Sequence, residues 1–136
     1  MRNLQLRILF GVVETVLIVE DDIDLRRMFR SALSLAGYRV LEAGDGLHAL
    51  RLLDSQHPDL VVLDLGLPLI SGLVVREELA AHAHTRDIPV VIVTGSISAA
   101  HDKLDVACVL RKPVSPDELV ATVKNCMASG STFRGA

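Results

Sequence analysis

The chain alternates short aliphatic runs with stretches whose apolar residues recur every three or four positions. Val16-Leu17-Ile18-Val19 is the first run, and it stops at Glu20-Asp21-Asp22. From Asp24 to Leu35 the apolar residues Leu25, Met28, Phe29, Ala32 and Leu35 fall on one face of a helix. Gly37 follows as a left-handed helix stop. Tyr38 to Leu41 reads as a second strand. Gly46 to Leu53, with Leu47, Leu50 and Leu53 in helical register, reads as a second helix, broken by Pro58-Asp59. Leu60-Val61-Val62-Leu63 is the third run, stopped by Asp64. A Gly/Pro segment from Gly66 to Gly72 leads into a helix from about Leu73 to Ala83. Pro89 opens Val90-Val91-Ile92-Val93, which ends at Thr94-Gly95. A short helix over about Ser98 to Leu104 comes next, and Val106 to Leu110 is the fifth run, ending at Arg111-Lys112-Pro113. The last helix has a capping box, with Ser115 as N-cap, Pro116 at the first helical position and Glu118 three residues after the cap. It is expected to run to about Met127, where Ser129-Gly130-Ser131 stops it.

Runs that are apolar on both faces are buried parallel strands rather than half-exposed antiparallel ones. Five of them separated by helices give repeated βαβ units and an α/β fold, a doubly wound five-stranded parallel sheet with helices on both faces. Residues 1–13 stand outside this count. Leu4, Leu6, Ile8 and Phe10 alternate with polar residues, so this leader is either frayed or an extra strand, at an edge or paired with a second chain. The expected division is a leader at 1–13, one domain at 14–128 and a flexible tail at 129–136.

Composition narrows the class. Apolar residues make up 50% of the 136, but aromatics only 3%, so the core is aliphatic. A net charge of −3 argues against electrostatic binding of nucleic acid. Cys108 and Cys126 have neither zinc spacing nor a disulfide framework, and read as small apolar residues in a reducing compartment. His48, His57, His82, His84 and His101 form no metal motif. No window of about 18 residues is free of charge, and the apolar stretch Ile8 to Val13 is too short for a signal peptide. A soluble, cytoplasmic protein without a membrane partner is expected.

In a doubly wound sheet, ligands collect beyond the carboxyl ends of the strands. There the first strand delivers Glu20, Asp21 and Asp22, the third Asp64, the fourth Thr94 and the fifth Lys112. Carboxylates gathered together repel unless a cation neutralises them. A donor set of oxygens alone suits Mg²⁺, which keeps several waters and favours a partner phosphate. Lys112 adds a positive point charge for a phosphoryl oxygen, and Thr94 a hydroxyl. The set suits phosphoryl transfer to or from the Asp64 carboxylate. Each residue has a plainer reading: Asp22 or Asp24 as a helix cap, Thr94 as a turn residue, Lys112 as a solvated side chain. Their coincidence at four strand ends favours the chemical reading.

These residues resemble the receiver domain of two-component response regulators. The likeness rests on Val16–Asp22, Pro58–Leu65, Pro68 with Gly72, Val91–Gly95 and Arg111-Lys112-Pro113, and spans about Glu14 to Met127. It implies a flavodoxin-like sheet of order 2-1-3-4-5. It implies Asp64 as phosphoacceptor from a sensor histidine kinase or a histidine phosphotransfer protein, an autocatalytic transfer rather than conventional enzymology. Mg²⁺ (or Mn²⁺) would be held by Asp21, Asp64 and the carbonyl of Gly66, with Glu20 acting through water. Lys112 would pair with the phosphoryl group and Thr94 would turn toward it, switching a surface for a downstream protein. The Lys112–Pro113 peptide is often cis in this family. Three departures stand out. Val109 occupies a switch position that is often aromatic. Lys112 follows Thr94 by 18 positions, so the intervening helix should be short or irregular. Gly66 and Ser96 are small where the family tunes phosphoryl lifetime.

With about nine residues after the last helix, the expectation is a stand-alone receiver or a receiver excised from a larger regulator or hybrid kinase, with homodimerisation open through its last elements or the leader. The competing reading is a receiver-like interaction module that no longer uses phosphate. A haloacid-dehalogenase-like phosphatase would need an Asp at Gly66, and a dinucleotide-binding protein a Gly-rich loop in place of Glu20-Asp21-Asp22.

Overall fold

A computed structural model describes residues 11–95 and 108–134. In chain order the elements are β1 (Thr15–Val19), α1 (Ile23–Leu35), β2 (Arg39–Ala43), α2 (Gly46–Ser55), β3 (Leu60–Asp64), α3 (Gly72–Ala81), β4 (Val90–Thr94), β5 (Val109–Arg111) and α4 (Pro116–Arg134). The five strands form one sheet of order β2-β1-β3-β4-β5, every neighbouring pair parallel. The leader's alternating residues to Phe10, the helix expected over Ser98 to Leu104, Ser96 and Val106 lie outside the described residues.

Strand residues alternate between two cores, which explains the uninterrupted apolar runs. Val16, Ile18, Leu60, Val62, Val91 and Val93 face Phe29 and Leu33 of α1 and Leu119 and Val123 of α4. Leu17, Val19, Val61, Leu63 and Ile92 face Ala49 and Leu53 of α2 and Val75 and Leu79 of α3. Phe29 is the one aromatic among the largest fully buried side chains, and burying a side chain of that size contributes about 2–3 kcal/mol. Otherwise the core is aliphatic, as composition required.

Local signals fix the element ends. At the end of α1 the N–H of Tyr38 donates to the carbonyl of Leu33 and that of Gly37 to Ser34, with Gly37 at φ 98°. This is a Schellman stop, which favours glycine. Asp22, Asp45 and Ser71 cap α1, α2 and α3. At α4 the N–H of Glu118 donates to Ser115 Oγ, and the N–H of Ser115 donates back to the Glu118 carboxylate. Asp59, which breaks the run before β3, accepts the N–H of Thr15 and donates its own to the Thr15 carbonyl, locking the starts of β1 and β3 together.

Three expectations need correction. α4 does not stop at Ser129-Gly130-Ser131 but continues to Arg134. Ser129 Oγ donates back to the carbonyl of Asn125, four residues earlier, which satisfies its hydroxyl within the helix. A lone glycine in a helix costs only about 1 kcal/mol. β5 begins at Val109, so Cys108 precedes the strand. Cys108 and Cys126 are not separate thiols: they are joined as a disulfide, with Cα atoms 6.1 Å apart. β5 and α4 pack on the same side of the sheet, which brings together residues 18 positions apart.

Candidate functional site

Parallel strands all release their chains at the same edge of the sheet, and the polar residues after the apolar runs meet there. β3 ends on Asp64, whose side chain is 4% exposed, and β1 delivers Glu20, whose side chain is 1% exposed. Asp21, next along, is exposed. Glu20, Asp21 and Asp64 each place a carboxylate oxygen within 4.8 Å of the others. Lys112, one residue past β5, extends Nζ to 3.2 Å from Asp64 Oδ2 and 3.5 Å from Glu20 Oε1. Its backbone N–H donates to the carbonyl of Thr94, which seats the lysine at the end of β4. The Lys112–Pro113 peptide is cis.

The loop after β3 adds backbone support. The N–H of Gly66 donates to Asp64 Oδ1 at 2.9 Å. Both Asp64 oxygens therefore have partners, Gly66 on one side and Lys112 on the other. Thr94 is buried at the end of β4, one position beyond Val93, the residue in register with Asp64. Val109 is half-buried and packs on the α2–α3 face of the sheet. Asp22 takes the plainer of its two readings: its carboxylate caps α1 by accepting the N–H of Leu25.

Electrostatics make this a pocket under repulsion. Burial pushes the Glu20 carboxyl up to about 7; the Asp22 N–H opposes this, and the Asp64 charge adds to the rise. Glu20 Oε1 is buried without a hydrogen-bond donor among the described residues. Burial works against the charge on Lys112, but Asp64 and then Glu20 outweigh it and hold its pKa above the ordinary lysine value. A buried carboxylate oxygen that makes no hydrogen bond and has only the Lys112 ammonium 3.5 Å away, set beside two further carboxylates, fits a hard divalent cation such as Mg²⁺.

The sign of the resulting pH dependence follows from linkage. Glu20 ionises near its ordinary value in the unfolded chain but at about 7 in the fold. The metal-free protein should lose stability as pH rises from about 4.5 to about 7, by an amount on the order of 3 kcal/mol at full ionisation. Below that window Glu20 contributes nothing, and above it the loss is complete. Lys112 acts at the other end, its contribution present at neutral pH and lost as pH rises through its raised pKa. Thermal melts in a chelator between pH 4 and 8 should slope downward in the native chain and much less in Glu20→Gln.

Sequence reasoning missed one participant. Arg26, on the first turn of α1, sends Nη1 to the Glu20 carbonyl at 2.8 Å and places Nε 3.3 Å from Glu42 Oε1 on β2. A main-chain carbonyl as partner has no sequence signature, so this contact became visible only in the fold.

Comparison with known proteins agrees with this architecture. The family model described as response regulator receiver domain matches residues 16–124. The probable transcriptional regulator ycf27 of Porphyridium aerugineum is 34% identical over 84% of this chain. The chain spans about half of that relative's length, 48%. The polar-differentiation response regulator DivK of Brucella ovis is 31% identical over 84% of this chain and 96% of its own length. Among solved structures, the chemotaxis response regulator CheY4 of Vibrio cholerae superposes with a TM-score of 0.77 at 26% identity, covering 84% of this chain and 98% of that one. No helix among the described residues is long and apolar enough to cross a membrane. The chain belongs to the response regulator receiver domain family of two-component systems.

Proposed function

We propose that Asp64 accepts a phosphoryl group from a phosphohistidine on a sensor kinase or phosphotransfer protein, with Mg²⁺ held by Glu20, Asp21, Asp64 and the Gly66 carbonyl, in the cytoplasm. The observation that carries this reading is the placement of Lys112 Nζ 3.2 Å from an Asp64 carboxylate that shares its pocket with two further acids. A carboxylate oxygen of Asp64 attacks phosphorus, the P–N bond breaks, and the released imidazole takes up a proton. Lys112 pairs with a phosphoryl oxygen, and a divalent cation held by the acid pocket would supply further positive charge beside the others, so positioning and charge balance do most of the catalysis. The acyl phosphate adds nearly two negative charges at the sheet edge. Thr94 supplies a hydroxyl to it, and the ends of β4 and β5 carry the change to a downstream partner. Val109 leaves no aromatic side chain to follow Thr94, so the switch works through main-chain and aliphatic repacking. The chain's net negative charge speaks for these 136 residues. Relatives about twice this length include some named as transcriptional regulators, and the reading makes no exclusion for them.

The test is intact-mass measurement after exposure to acetyl phosphate. One phosphoryl adduct should form with Mg²⁺ and none in a chelator. No adduct under either condition would replace this reading with that of a phosphate-independent interaction module.

A further inference from the structure

We propose that Arg26 is a positioning residue for the acid pocket, fixing the bend from which Glu20 and Asp21 present their carboxylates to a divalent cation. This rests on the metal reading above. Glu20 is the first residue past β1, and its N–H still follows the sheet, donating to the carbonyl of Ala43 at 3.0 Å. Its carbonyl leaves the ladder and is taken by Arg26 Nη1. The segment from Glu20 to Arg26 is closed on itself by three further bonds. The N–H of Asp22 donates to Glu20 Oε2 at 3.1 Å, that of Leu25 to Asp22 Oδ1 at 2.9 Å, and that of Arg26 to the Asp22 carbonyl at 2.9 Å. Asp21 sits at the crown of this closed bend, its backbone held on both sides while its carboxylate stays exposed.

The guanidinium is itself held. One Glu42 oxygen pairs with Arg26 Nε at 3.3 Å and the other with Arg30 Nη1 at 3.3 Å. Gly44, just past β2, leaves room for it: a Cβ there would lie 3.2 Å from Arg26 Nη1. The planar fork of arginine serves a carbonyl and a carboxylate at once, which a lysine ammonium at the same reach does less well. Partners that orient ligand-bearing groups typically change metal affinity by about tenfold or more when removed.

A plainer role exists for the same residue, as an ion pair that staples α1 to β2. The two roles separate experimentally because the Glu42 side chain pairs with Arg26 and Arg30 but makes none of the bonds that close the Glu20–Arg26 bend. Mg²⁺ binding to the full chain should be measured by calorimetry for the native protein, Arg26→Met, Arg26→Lys and Glu42→Gln, with melting of each in a chelator. Arg26→Met is expected to weaken Mg²⁺ about tenfold, Arg26→Lys to recover part of that loss, and Glu42→Gln to stay within about twofold of native. Unchanged Mg²⁺ affinity in Arg26→Met overturns the inference. So does an equal loss in Glu42→Gln, which would assign the effect to the staple. Should Arg26→Met fail to fold, Arg26→Lys decides: native affinity overturns the inference and a several-fold loss supports it. A native protein that binds no Mg²⁺ at all would instead overturn the metal reading on which it stands.

Discussion

Asp64→Asn is expected to take up no phosphoryl group from acetyl phosphate in the presence of Mg²⁺, a complete loss by intact mass, while keeping its fold. The side chain is nearly isosteric, and its carbonyl oxygen can still accept the N–H of Gly66, the bond now made by Asp64 Oδ1. What disappears is the anionic nucleophile, since a neutral amide oxygen cannot form the acyl phosphate. The electrostatic consequence is separable from the chemical one. Asp64 contributes to the raised pKa of Glu20, and it is the first of the two carboxylates that raise the pKa of Lys112. In the variant both groups should move back toward ordinary values, so the downward slope of metal-free stability between about pH 4.5 and 7 should flatten. Persistence of the native slope would mean that burial alone holds Glu20 up. A phosphoryl adduct on the variant would place the acceptor elsewhere.

Gly72→Ala is expected to be the most damaging glycine-to-alanine substitution among the described residues, costing about 3 kcal/mol or more and lowering the melting temperature by about 10 °C. A Cβ on Gly72 would run into the carbonyl oxygen of Asp64 and come within 2.6 Å of Leu65 Cα. Both obstacles are backbone at the end of a buried central strand, so neither can swing aside as a side chain would. Relief requires α3 to move off β3 or the Asp64–Leu65 peptide to shift. Phosphoryl uptake should therefore fall together with stability, because the displaced group carries the Asp64 carboxylate. A melting temperature unchanged from the native chain would show that α3 moves freely against the sheet. Gly37→Ala should be milder, since its Cβ meets nothing within 4 Å and only the left-handed backbone resists it.

The features legible in the sequence are those with a local signature. The aliphatic runs of β1, β3 and β4 mark strands because residues facing both layers are apolar, and the Ser115–Glu118 box marks the start of α4 because both partners lie within one turn. Glu20, Asp21, Asp64 and Lys112 could be gathered from sequence because parallel strands bring their carboxyl ends to one edge whatever the intervening lengths. Features that depend on tertiary distance were hidden. The Cys108–Cys126 pairing arises from β5 and α4 sharing a core layer, which spacing does not encode. The steric demand at Gly72 comes from a strand eight positions earlier, and Arg26 reports its role only through a carbonyl. The end of α4 is not marked by composition, because a lone glycine between serines costs a helix only about 1 kcal/mol and the Ser129 hydroxyl finds a partner in the Asn125 carbonyl.

The sheet divides the interior into two compartments that share no side chains: α1 and α4 close one, α2 and α3 the other. The wall between them is a hydrogen-bonded sheet whose strands send alternate side chains into each. The acid pocket lies on the rim of that wall, at the carboxyl ends of its strands. A change of charge there can thus reach two outer faces of the molecule by separate routes, and different partners could read one chemical event without competing for a single surface.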